Sequence, residues 1–236
     1  MMHKLLFCLM MLQSCVSFAG CLSQEQLNQL NQAERTYLIN KIPPVFKHSL
    51  QASLIQIDVQ AIDDAKCQAK LIVNLPQAEI DEAHQVLDAQ PAKKVMLSAQ
   101  GYALPTSTKE EAVFNVDSAT LMVANPDVLQ TAPLGKLRAS IELMYAFLTQ
   151  KRAEVSPSQL NSEPWPNEIT EQTVDNCSAK LKEAVCTCIA SEYAKTIPAQ
   201  QMEYIQSIRE NPYAYATGAI NGFEQIKQKA ETVCRG

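Results

Sequence analysis

The 236-residue chain is 47% hydrophobic but only 6% aromatic, and its 20 basic and 25 acidic side chains leave a net charge of −5. That acidic balance argues against nucleic acid or an anionic membrane surface as a partner, because both demand clustered Lys and Arg. Six glycines, scattered along the chain, form no Gly-rich phosphate loop and argue against nucleotide binding.

The N-terminus runs Met1, Met2, His3, Lys4, then the apolar stretch Leu5 to Leu12, then the more polar Gln13 to Ala19. This is the charge, core and cleavage layout of a secretory signal. The apolar stretch is far short of the ~20 residues a transmembrane helix needs, and no later stretch is long and apolar enough either. Ser17-Phe18-Ala19 offers small residues for ordinary cleavage, whereas Phe18-Ala19-Gly20-Cys21 resembles a bacterial lipobox with Phe18 in the place usual for Leu. Cysteine parity separates the two. Beyond residue 20 stand Cys21, Cys67, Cys177, Cys186, Cys188 and Cys234, an even set that pairs completely only if Cys21 is a disulfide partner. The expectation is a mature protein beginning at Gly20 or Cys21 and located in the periplasm. The alternative is a lipid anchor on Cys21.

Ser23 and Gln26 form a capping-box pattern, and Leu27, Leu30, Tyr37 and Leu38 recur at near-helical spacing, predicting a first helix that Pro43-Pro44 must end. Ile55, Ile57, Val59 and Ala61 alternate with polar residues. After Asp63-Asp64 a second alternating run follows, Cys67, Ala69, Leu71, Val73 and Leu75, so a hairpin is predicted. Pro76 opens a helix with Ile80, Ala83 or His84, and Leu87 on one face, ending near Pro91. A strand-like run from Val95 to Tyr102, with Val95, Leu97 and Ala99 alternating, and a second from Ala112 to Ala124 predict a second hairpin joined by the polar Thr106 to Glu111. Beyond Asn125-Pro126, the residues Leu134, Leu137, Ile141, Met144 and Leu148 step by three and four and predict a helix with one apolar stripe.

From Glu154 to Asn167 the composition shifts to Ser, Pro, Asn and Glu, with Pro157, Pro164 and Pro166 breaking regular structure. This segment reads as a linker. Its Trp165 is either an anchor docking the linker or an exposed binding residue. The remainder reads as three helices: Leu181, Ala184, Val185 and Ile189 on one face, new starts at Pro198 and Pro212, and a final stripe of Ile220, Phe223, Ile226, Ala230 and Val233. Gly218 and Gly222 suggest close approach of two helix backbones.

Cys186 and Cys188, two apart on a helix, point about 200° away from each other and must have different partners. On the same unbroken helix Cys177 would lie about 13 Å from Cys186, outside disulfide reach, so the chain bends between them or the pairing crosses elements. The preferred pattern joins Cys21 to Cys67, Cys177 to one of Cys186 and Cys188, and Cys234 to the other. A sharper reading makes the C-x-C pair a Cu(I) or redox site, against which stand the want of a nearby His and of a second pair at zinc spacing. No metal or other cofactor is expected.

Only His48 and His84 lie beyond the signal, and neither is surrounded by a nucleophile elbow or an H-E-x-x-H pattern. The acid pairs Asp63-Asp64, Asp81-Glu82 and Glu110-Glu111 suit acid/base work in principle, yet adjacent acids at turns and helix starts are ordinary solvated faces. No catalytic residue is therefore assigned, and binding residues stay unspecified.

The expected fold is α+β. Residues 21–153 form an antiparallel sheet of two hairpins with helices packed on one face. Residues 154–167 form a Pro-rich linker, and 168–236 a disulfide-linked helical bundle after the signal at 1–20. The expected role is a non-enzymatic envelope factor binding another envelope or exported protein, of the chaperone, inhibitor, immunity or assembly type. The alternatives are a carboxylate-based hydrolase of an envelope polymer and a Cu(I)-handling protein.

Overall fold

A computed structural model of the chain describes residues 21–46, 56–63, 67–117, 133–210 and 220–235. The signal-like segment, His48, Asp64, Pro212 and Gly218 lie outside the described residues. Helix α1 spans Gln24–Lys41. Ser23 and Gln26 cap it reciprocally: Gln26 N donates to Ser23 Oγ at 3.2 Å and Ser23 N to Gln26 Oε1 at 2.8 Å. It stops at Ile42, whose extended backbone is what the following Pro43 requires, and a 3₁₀ turn at Pro44–Phe46 follows.

Three antiparallel strands, β1 Gln56–Asp63, β2 Gln68–Asn74 and β3 Lys109–Asn115, make one sheet in that spatial order. The register opposes Ala69 to Phe114 and Leu71 to both Val59 and Ala112. The period-two pattern thus puts Ala69, Leu71, Val73, Ala112 and Phe114 on the buried face. Helix α2, Gln77–Asp88, turns Ile80, Ala83, Val86 and Leu87 inward; at the position where Ala83 and His84 competed, Ala83 is the buried one.

The second hairpin is corrected. Val95 to Ala99 belong to a short helix, α3, Pro91–Ala99, and β3 pairs with β2 instead. Only Leu97 of this helix is buried, while Val95 is 70% and Met96 49% exposed. Alternation here reflects no sheet face, and Pro91 in the first turn favours a helix start.

Helix α4, Pro133–Arg152, carries the predicted stripe, with Leu134, Leu137, Ile141, Met144 and Leu148 all buried. Tyr145, Ala146 and Phe147 are buried too, so α4 is covered on more than one side and forms the centre of the molecule. It packs against α2, β3, α1 and, across the chain, the third of the C-terminal helices.

Those helices number four among the described residues: α5 Asn167–Ser178, α6 Glu183–Ala194, α7 Ala199–Glu210 and α8 Phe223–Arg235. The extra break is the turn at 179–182, where Lys180 N and Leu181 N both donate to Cys177 O. Residues 153–166 contain no helix or strand and run as a strap over the helices. Trp165 is its anchor, buried with its indole Nε1 donating to Ile197 O at 2.7 Å. Asn161 fastens it a second time, its amide donating to Lys195 O and its Nδ2 to Ala194 O. Gly222 takes a left-handed backbone, φ +78°, and a Cβ there would overlap the carbonyl oxygen of Val155. The close approach is thus between this glycine and the strap, not between two helices. Buried side chains from Leu22 to Ala230 form one continuous hydrophobic cluster.

Candidate functional site

Four elements meet around Arg152, the last residue of α4. Its Nη2 donates to Glu82 Oε2 at 2.7 Å and its Nε reaches both Glu82 oxygens at 3.2 Å, while Nη1 donates to Tyr204 OH at 3.4 Å. The guanidinium also lies over the ring of Phe46, 5.3 Å from its centroid. Phe46 in turn tilts against Tyr145 and Tyr204. The box is completed by Glu79, whose Oε2 accepts from Tyr145 OH at 2.9 Å and whose Oε1 stands 4.0 Å from Arg152 Nη1. Glu79 and Glu82 share one face of α2 because they are three apart.

Burial pushes the Glu79 carboxyl above its ordinary value, against the opposing pull of the Tyr145 hydrogen bond and Arg152. Burial raises the Tyr145 phenol far more, reinforced by the charge of Glu79. Burial works against the charge of Arg152 too, but its hydrogen bonds to Glu82 and Tyr204 overcome it and hold the guanidinium protonated. A carboxyl easier to protonate in the folded than in the unfolded state stabilises at acid pH, and that contribution is lost as pH rises above about 4.5, the ordinary value. Glu79→Gln keeps an acceptor for Tyr145 and removes the titration. Its melting temperature relative to the parent is expected to increase from pH 4 to pH 7, and thermal melts at the two pH values check the sign.

Beside this network opens a groove of about 480 Å³, lined among others by Glu82, Gln85, Gln90, Gln150, Glu154 and Asn221. Four of the nine lining residues are carboxamides and three, Glu82, Lys151 and Glu154, are charged. Gln150 Oε1 is buried without a partner, and so is Oε1 of Gln201, whose Nε2 donates to Glu154 O. Such a lining suits ligands that hydrogen-bond, such as peptide amides, more than apolar ones.

The residues singled out from sequence are mostly occupied. His84 Nε2 lies 2.8 Å from Pro105 O and ties α2 to the loop before β3. Glu110 accepts from Thr106 N and Ser107 N and closes that loop. Glu111 pairs with Lys109 and Lys70, whose hydrogen bonds hold it below the usual carboxylate range. Asp81 accepts from Gln77, and Glu82 belongs to Arg152. The structure pairs Cys21 with Cys67, Cys177 with Cys186 and Cys188 with Cys234, at Cα separations of 5.2, 5.6 and 5.7 Å. Both sulfurs of the C-x-C pair are thereby engaged, which leaves no thiolate there for a soft metal. No group of three or more metal-ligating side chains occurs among the described residues, and no helix among them is long and apolar enough to cross a membrane.

Fold and cross-links define an α+β protein with three disulfides among the described residues. No family model, curated protein or solved structure matches the chain.

Proposed function

We propose that the chain is exported to the periplasm of a bacterial envelope and acts there, without catalysis, by binding another envelope or exported protein. The observation that carries the location is the Cys21–Cys67 disulfide directly behind a signal-like N-terminus. A Cys21 sulfur bonded to Cys67 has no valence left for a lipid thioether, which favours the soluble over the anchored form. Disulfides of this number suit an oxidising compartment. In this reading residues 21–153 are the main binding body, 154–167 the linker that runs as the strap, and 168–236 a stapled helical unit that adds Asn221 to the groove. The polar groove beside Glu82 supports the binding role, since its Gln and Asn side chains match the donors and acceptors of a peptide backbone.

The hydrolase reading retains one observation, the raised carboxyl of Glu79 three residues from Glu82. Glu79 is held by Tyr145 and Glu82 by Arg152, so the oxygens of both acids are already engaged within the fold.

Intact-mass analysis of the chain from the envelope fraction tests the location. Expected is a start at Gly20 or Cys21, no acyl group, and a gain of about 6 Da on reduction, two hydrogens for each of three bonds. An acylated Cys21 would overturn the soluble reading. A photo-crosslinker at Gln85, in the groove, is expected to capture one discrete envelope protein that the same probe at Met96 does not. Equal capture from both positions would overturn the groove as the binding face.

A further inference from the structure

We infer that this chain is completed by a dithiol–disulfide oxidase alone, its three bonds closing in the order in which the cysteines emerge, with no need of a disulfide isomerase. The inference rests on the export reading above. In chain order the cysteines are Cys21, Cys67, Cys177, Cys186, Cys188 and Cys234, and they are bonded first to second, third to fourth and fifth to sixth. Six cysteines allow 15 connectivities. The one present is the one that stepwise closure produces when the chain crosses a membrane N-terminus first. Cys8 and Cys15 lie within the signal-like segment, and its cleavage takes them out of the competition.

The step most open to error is the third cysteine's choice between Cys186 and Cys188. Two features decide it. Cys186 emerges first and closes a loop of sequence separation 9 across the turn at 179–182, where two amides already fold back onto Cys177 O. Once α6 forms, its geometry turns Cys186 toward α5 and Cys188 toward α8, about 200° apart. Cys186 is then fully buried, which shields its bond from further exchange, while the half-buried Cys188 waits for Cys234 at the end of the chain.

Each closure runs in two exchanges. A thiolate of the chain attacks the oxidase disulfide and forms a mixed disulfide, and the oxidase's second sulfur leaves as a thiolate. The partner thiolate of the chain then attacks the chain's own sulfur in the mixed disulfide, forming the native bond and releasing the oxidase as a dithiol. Every bond passes two electrons to one oxidase molecule, and the two protons of the chain's thiols balance those taken up by the reduced oxidase.

The test expresses the full chain, signal included, in parent, isomerase-deleted and oxidase-deleted bacteria, and maps the disulfides by non-reducing proteolysis and mass spectrometry. Expected are the same map and yield without the isomerase, and loss of most of the three-bond form without the oxidase. Peptides linked Cys177–Cys188 or Cys186–Cys234 in exported protein from the isomerase-deleted strain would overturn this inference while leaving the export reading standing. Full-length chain retaining Met1 and reduced thiols in the cytoplasm would overturn both.

Discussion

Cys234→Ser in the full mature chain is expected to lower the unfolding free energy by about 4 kcal/mol. The bond it removes joins Cys188 to Cys234 across a sequence separation of 46. On the loop-entropy account a closure of that length lies between the ~3 kcal/mol of a 15-residue loop and the ~4.7 kcal/mol of a 100-residue loop. In a protein of this size the melting temperature should fall by roughly 8–16 °C, at about 2–4 °C for each kcal/mol. The reason is positional: α8 is the last of the described elements. Its described attachments are a stripe of Phe223, Ile226 and Ala230, the Gly222 contact with the strap, and this bond. Calorimetry gives the melting temperature, and thiol titration should find one new reactive group, Cys188. An unchanged melting temperature would mean that the apolar stripe alone holds the helix.

Arg138→Ala is expected to cost about 3–5 kcal/mol, because it strands a buried carboxylate. Glu34 on α1 is 3% exposed and accepts from Arg138 of α4 through both oxygens, one bond measuring 3.0 Å from Nε. The guanidinium also covers the Tyr37 ring at 4.3 Å, and Tyr37 OH donates to Glu142 at 2.9 Å, with burial and the Glu142 charge pushing the phenol up to about 12. The pair joins the first helix to the central one, so its loss weakens the packing that closes the sheet. Urea unfolding measures the loss. The double variant Glu34→Leu/Arg138→Met, which removes both charges and keeps the volume, should recover most of it, since apolar replacements of buried pairs are often neutral or stabilising. A double variant as unstable as Arg138→Ala would locate the loss in packing on Tyr37 instead of the unpaired charge.

The elements that were legible in the sequence are those whose signal is local. The capping box of α1, the alternation across β1 and β2 and the stripe of α4 each follow from a period of 2.0 or 3.6 read within one segment. The opposed directions of Cys186 and Cys188 are likewise a consequence of helix geometry, and they narrow the cysteine pairing without any tertiary information, while the choice between a bend after Cys177 and a pairing across elements stayed open. Alternation failed at Val95, Leu97 and Ala99 because five residues are too few to separate a strand from a short helix with most of its side chains in solvent. β3 therefore joined the first hairpin instead of forming a second.

The candidate site belongs to the other category. Tyr145 meets Glu79 across 66 residues, Arg152 meets Glu82 across 70, and Tyr204 meets Arg152 across 52. No local periodicity connects them; the one sequence trace was the i, i+3 spacing of Glu79 and Glu82, which ordinary surface acids share. The α+β class and the use of the cysteines in disulfides could be read from the chain alone, since these depend on composition and short-range geometry. Which acids are buried, and which helix faces meet at the groove, follow from packing between distant segments. A carboxyl acquires its partners and its raised proton affinity from the side chains that fold around it, and those come from distant parts of the chain.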